Sequence, residues 1–201
     1  MCRAGTGGSP EPVRRIPVPV LDVNADLRAL IGKLRADLEA DLPATRAWAQ
    51  INAGAVPGTI PADVPGPVRE LLDVADGILA GAFVLFGTGS YDCFPYAFAY
   101  MPEFTGVGDE PAKWALFGNL SDEPLLLNRE TGAVWYFPFT GAEWYMREEF
   151  AEIAPDLDSF LAYYVFGPGY REIGCDRPDH WWRFLHSQGL ITSAADGTED
   201  G

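Results

Sequence analysis

Cysteine and histidine, which carry most nucleophilic and metal-binding chemistry, are scarce in this chain: three and two among 201 residues. Cys2, Cys93 and Cys175 are odd in number and far apart, with no C-x-x-C spacing. That argues against an even disulfide framework and against a paired zinc site, so the thiols are read as reduced. His180 and His186 are six positions apart, which on a helix turns them about 240° from each other, so they make no helical zinc pair. Cys175, Asp176, Asp179 and His180 come nearest to a metal set. No second cysteine or suitably spaced histidine completes it, and capping or surface roles are the better reading. Cys93 or Cys175 with His180 matches the inventory of a thiol nucleophile and base, yet nothing around them resembles a cysteine hydrolase signature. No metal or cofactor is expected.

Long apolar runs are missing too. No stretch approaches the roughly 20 consecutive apolar residues that cross a bilayer, and Met1–Arg15 lacks the apolar core of a secretory signal. A cytoplasmic protein without a membrane partner is the expectation. Phosphate loops are also lacking: Gly87-Thr88-Gly89 has neither the G-x-G-x-x-G pattern nor a Lys-Ser/Thr ending. Cations are few, 14 Lys and Arg against 29 Asp and Glu, for a net charge of −15. The excess is uneven. Residues 1–100 hold 8 basic and 11 acidic side chains, net −3, whereas residues 101–201 hold 6 and 18, net −12. Such a field repels phosphate backbones, so no nucleic-acid partner is expected, and it steers basic proteins inward.

What the chain does have is apolar surface, at 48% hydrophobic and 13% aromatic residues. That is enough to offset the ordering entropy of folding. The length fits one domain. Residues 1–19 read as a flexible lead-in, 20–192 as a single domain and 193–201 as an acidic tail. From a cap at Asp22 or Asn24, the segment Ala25–Leu42 sets Leu27, Leu30, Ile31, Leu34 and Leu38 on one helical face, and Pro43 ends it. Ala44–Ile51 reads as a short second helix that turns Trp48 and Ile51 inward. Val56–Pro67, with four prolines and two glycines, is a connector. A helix after Pro67 buries Val68, Leu71, Leu72 and Ala75 and stops at Gly77.

Beyond Gly77 the period shortens. Strands are expected near Ala82–Phe86, Tyr96–Met101, Lys113–Asn119, Pro124–Asn128 and Ala133–Phe137. Gly132 closes the hairpin between the last two. Helices return with Asp156 as a cap over Leu157, Phe160, Leu161 and Tyr164, and at Pro178–Gln188 before Gly189. Between these regions, Glu143, Glu148, Glu149 and Glu152 lie near Trp144 and Tyr145. Two of those carboxylates beside an aromatic platform would suit a glycosidase, but acidic residues at the start of a helix are the commoner reading.

Three stretches together resemble the SUKH superfamily, whose bacterial members are mainly immunity proteins encoded beside toxins. They are the strand-and-turn run from Trp114 to Asn128, the hairpin Thr131-Gly-Ala-Val-Trp-Tyr-Phe137, and the helix start Ile153-Ala-Pro-Asp-Leu-Asp-Ser-Phe-Leu161. The helix running into Asp76-Gly77 is similar to the family's early glycine turn, although the family has Asn-Gly there. The resemblance spans roughly residues 60–165. It implies a single α+β domain with a central, mostly antiparallel sheet flanked by N-terminal and C-terminal helices. It also implies a non-enzymatic role, the neutralisation of a cognate toxin by tight binding, and the acidic, aromatic-rich composition suits a basic toxin of nuclease or deaminase type. On that reading Asp122, Glu123, Glu143, Trp144, Glu148 and Glu149 form the expected partner-binding region, while Trp114, Trp135 and Phe160 belong to the core. A small hydrolase using the acids near Trp144, and a regulatory scaffold of the same fold, are the alternatives.

Overall fold

The computed structural model of this chain describes residues 23–93, 98, 100–139, 141–173 and 178–191. The expected lead-in 1–19 and acidic tail 193–201 lie outside the described residues. Helix α1, Val23–Ala40, buries Leu27, Ile31, Leu34 and Leu38 at the spacing that the sequence announces. Pro43 does not simply stop the chain. It occupies the first turn of a one-turn helix, α2 (Leu42–Thr45), where a missing N–H costs no hydrogen bond. Thr45 Oγ1 donates to the Leu38 carbonyl at 2.9 Å and closes the corner.

The helix expected over Ala44–Ile51 is therefore corrected: it ends at Thr45, and Ala49–Ile51 is strand β1. Ala49 and Ile51 are buried while Gln50 is exposed, the period of two of a half-buried strand. Ile51 and Trp48 still pack inward, as the composition of the segment demands. Helix α3, Gly66–Val74, has Pro67 in its first turn and buries Val68, Leu71 and Leu72. The Arg35 guanidinium donates to the carbonyls of Asn52 and Val74, both at 3.0 Å, and ties α1 to the end of α3.

Six further strands follow: β2 (Ile78–Ala80), β3 (Phe83–Leu85), β4 (Trp114–Leu120), β5 (Glu123–Asn128), β6 (Val134–Tyr136) and β7 (Ala151–Ala154). They form one antiparallel sheet in the order β1-β2-β3-β4-β5-β6-β7, so each strand pairs with its neighbours in the chain. Four of the expected strands appear as β3 to β6. Half of the fifth, Tyr96–Met101, falls outside the described residues, and its described residues Phe98, Tyr100 and Met101 belong to no strand. At the β5–β6 turn, Asn128 Oδ1 accepts from the N–H groups of Glu130 and Thr131, and Gly132 adopts φ 80°. The expected hairpin closure is the one observed.

Alternate residues of the sheet enter two separate clusters. Ala115, Phe117, Leu125, Leu127 and Val134 face the helices. Trp114, Leu116, Leu126 and Phe137 enter a second cluster with Met101 and Val107. Both faces are covered, which is why Leu125-Leu126-Leu127 is continuous rather than alternating. Each such fully buried side chain contributes roughly 1.5–3 kcal/mol.

The helical face is completed late in the chain. Helix α4, Leu157–Phe160, is capped by Asp156, whose Oδ1 accepts from Ser159 N at 2.7 Å, and runs into a π-turn over Leu161–Val165. Phe160 meets Phe83 and Phe117 edge-on, with centroids 5.7 and 5.9 Å away. After α5 (Tyr170–Ile173), helix α6 (His180–Ser187) buries Trp181, whose indole N–H donates to the Val165 carbonyl at 2.8 Å. Together these elements give the expected α+β architecture, an antiparallel sheet with helices from both ends of the chain against it. Among the described residues no helix is long and apolar enough to cross a membrane.

Candidate interaction site

The face of the sheet away from the helices is covered by chain connections, and the expected site residues lie at one end of it. The sequence Pro138-Phe139-Thr140-Gly141-Ala142-Glu143 has no helical or strand period, so the β6–β7 connection has no ladder to satisfy its carbonyls. Arg147 takes that role. Its Nε donates to Ala142 O at 2.7 Å, and its Nη1 donates to Phe137 O at 2.8 Å and Pro138 O at 3.2 Å. Its Nη2 pairs with the Glu123 carboxylate at the start of β5. The Arg147 side chain is 2% exposed and that of Glu123 14%, so this is a buried ion pair. The guanidinium also lies 5.2 Å from the centre of the Phe139 ring.

Around this buried cation the apolar side chains of the connection divide, some inward and some outward. Phe137 is buried, and Trp144 is half-buried with its ring 5.3 Å from Phe137. Phe150 closes the same cluster, 4.9 Å from Phe137 and 5.4 Å from Trp114. Outward stand Phe139, 77% exposed, Met146, 60%, and Tyr145, 55%. Tyr145 is braced edge-on by Trp144 at 5.7 Å.

The expected partner-binding residues divide accordingly. Glu143, Glu148 and Glu149 are exposed around the outward apolar side chains, and Asp122 is exposed on the β4–β5 turn, beside Ser121 at φ 54°. Glu123, by contrast, is turned inward and held by Arg147, and Trp144 joins the second cluster through its inner face. The helix start expected at Glu148 and Glu149 is corrected: a 3₁₀ turn over Trp144–Met146 precedes them and strand β7 follows. Among the described residues no ion pair holds Asp122, Glu143, Glu148 or Glu149. Their field reaches the sheet. Burial pushes the Tyr136 phenol above its ordinary range, and the charges of Glu149 and Glu123 push it further the same way.

The other sequence candidates, where their side chains are described, are engaged in a helix cap and in ring stacks. Asp179 caps α6, its Oδ1 accepting from Trp182 N at 2.8 Å, while Oδ2 accepts from Tyr170 Oη at 2.5 Å. His180 stacks on Trp48 at 5.6 Å and His186 on Trp182 at 5.1 Å, so the two rings have different neighbours. Cys175 and Asp176 lie outside the described residues, and among the described ones no His, Cys, Asp or Glu group is arranged to hold a metal ion. A small pocket opens elsewhere, between α1, α3 and α4, where Arg28 and Glu70 pair at 3.5 Å beside Asp158. Burial raises the Asp158 carboxyl from its usual range, the Asp156 and Glu70 charges add to that, and Arg28 offsets it.

Sequence reasoning missed Arg147 as the organiser of the site and missed Phe139 and Met146 as its exposed apolar part. The available signal was an aromatic-rich stretch without a period and with one cation in it. Compared with known proteins, the chain matches no family model, and no curated protein matches it.

Proposed function

We propose that this chain is a protein-binding module that acts in the cytoplasm as an immunity protein, neutralising a cognate basic toxin of nuclease or deaminase type by tight binding and not by catalysis. The observation that carries the reading is the Arg147-braced β6–β7 connection, which holds Phe139, Tyr145 and Met146 out in solvent within a rim of unpaired carboxylates. Exposed apolar side chains held in place by a folded connection need little further ordering on binding, so less of their contact energy is lost. The acidic rim speeds encounter with a basic surface and penalises acidic competitors. Large aromatics at the centre of such a patch are the residues that dominate binding energies.

The experiment is a titration of this protein with the inactivated product of a toxin gene beside its own. Tight one-to-one binding is expected. Phe139→Ala and Tyr145→Ala are each expected to weaken it by about 2 kcal/mol, near thirtyfold. Absence of binding, or binding indifferent to both substitutions, sinks this reading.

A further inference from the structure

A second connection, between β3 and β4, rests on the same cluster and has the same make-up. Met101 and Val107 are buried there with Trp114, Leu116, Leu126 and Phe137. Tyr100, immediately before the first of these anchors, is 73% exposed, and Phe104, between the two, is 49% exposed. The turn is set by its own bonds: Thr105 Oγ1 donates to Pro102 O at 2.7 Å and accepts from Val107 N at 3.2 Å, and Gly106 adopts φ 66°. Glu103, Asp109 and Glu110 are exposed around it. Its cation is already engaged, since Lys113 pairs with Glu110 at 2.9 Å and reaches Glu130 at 3.9 Å. Five of the eight large hydrophobic side chains exposed among the described residues thus come from two connections over one face of the sheet. The remaining three, Leu42, Val56 and Val84, are scattered singly on α2, a loop and β3.

From this arrangement we infer that the binding surface is composite: Tyr100 and Phe104 form its second half, and a single basic protein partner covers both connections at once. The inference rests on the function proposed above and extends it to a region that function did not include. Area supports it. At roughly 200 Å² for a large side chain, the exposed fractions of Phe139, Tyr145 and Met146 offer about 400 Å² of apolar surface. A standard interface covers about 800 Å² on each partner. Tyr100 and Phe104 add about 250 Å² on the same basis, which brings the apolar centre plus its acidic rim to that size. Charge selects the occupant. Both connections present unpaired carboxylates and no free cation among the described residues, so a second copy of this chain would meet like charge, whereas a basic protein meets complementary charge.

The test uses the full chain and the inactivated product of the adjacent toxin gene. Hydrogen exchange is measured with and without that protein, alongside the affinity of two variants. One is the Tyr100→Ala, Phe104→Ala double variant. The other is Glu103→Lys with Asp109→Lys, which alters exposed groups only and leaves the buried cluster intact. Protection of both 100–110 and 141–149, with at least tenfold weaker binding by either variant, is expected. Protection confined to 141–149, with both variants binding within twofold of the parent, overturns the composite surface and leaves the proposed function standing. Protection on the α1–α3 side, or no binding, overturns both. Dimerisation of the free protein that hides 100–110 and 141–149 makes a second copy the occupant and overturns the inference.

Discussion

At the scale of single residues, Arg147 carries more of the structure than any carboxylate near it. A buried guanidinium is tolerated when its charge is matched and its donors are engaged, and here three carbonyls and one carboxylate take four of its five N–H groups. Replacing it by Met leaves Glu123 as an uncompensated, largely buried charge. Arg147→Met is expected to cost about 3–5 kcal/mol in denaturant unfolding, and Glu123→Leu added to it should restore much of that loss. Additive losses in the double variant would show that the pair is not coupled. A second residue-scale prediction concerns Tyr163. Its hydroxyl donates to Glu172 Oε1 at 2.7 Å, and that bond, helped by burial and by the Glu172 and Tyr164 charges, pushes its phenol from 10.0 up to about 12. The protonated phenol is thus favoured in the folded state. Its contribution is present in full below pH 10 and is lost as pH rises through about 12. Phenolate absorbance should show a component that titrates near 12, and Glu172→Gln should bring that component back toward 10. A titration unchanged by that substitution removes the assigned cause.

At the scale of elements, the β2–β3 turn shows how a short segment is held from far along the chain. Tyr170 Oη accepts from Ala82 N at 2.9 Å and donates to Asp179, which caps α6. Gly81 sits under this link at φ 59°, and a Cβ there would overlap Tyr170 Oη and Trp181 Cβ. Gly81→Ala is expected to destabilise the fold by about 2–4 kcal/mol, from the left-handed backbone and the overlap together. A loss under about 1 kcal/mol in thermal or denaturant unfolding would mean the turn moves freely. The same turn explains what the sequence could and could not reveal. Helix α1 was legible from its full period, and the β5–β6 hairpin from two apolar runs joined by a turn that has its own Asn128 and Gly132. Strands β1, β2 and β7 are as short as β3 and β6 but lack the aromatic residues that marked those two, and they exist because neighbouring strands align them. The candidate site was half legible for the same reason. Its acids and Trp144 stand out by type, but the inward turn of Glu123 depends on Arg147, 24 positions away.

At the scale of the whole molecule, the use made of arginine decides the field outside. Arg35, Arg69, Arg129 and Arg147 all direct guanidinium N–H groups at main-chain carbonyls. Cations used this way stiffen loops and leave the acidic excess of the second half of the chain largely unopposed. Association with a basic partner should therefore slow by an order of magnitude or more from low salt to about 0.5 M, because screening shortens the reach of surface charge to a few ångströms. The dissociation rate should change little, since desolvated contacts are screened less. Stopped-flow measurement at two ionic strengths checks this, and an on-rate indifferent to salt would remove steering from the account. The strand order has a consequence for how such a molecule is made. A sheet in which every strand pairs with its neighbours in sequence can be laid down strand by strand as synthesis proceeds, with short turns to close at β2–β3, β4–β5 and β5–β6 and longer connections at the other three steps. The link from Ala82 through Tyr170 to Asp179 must wait for α6, so a nascent chain keeps the β2–β3 turn unlatched until about a hundred residues beyond it have been added.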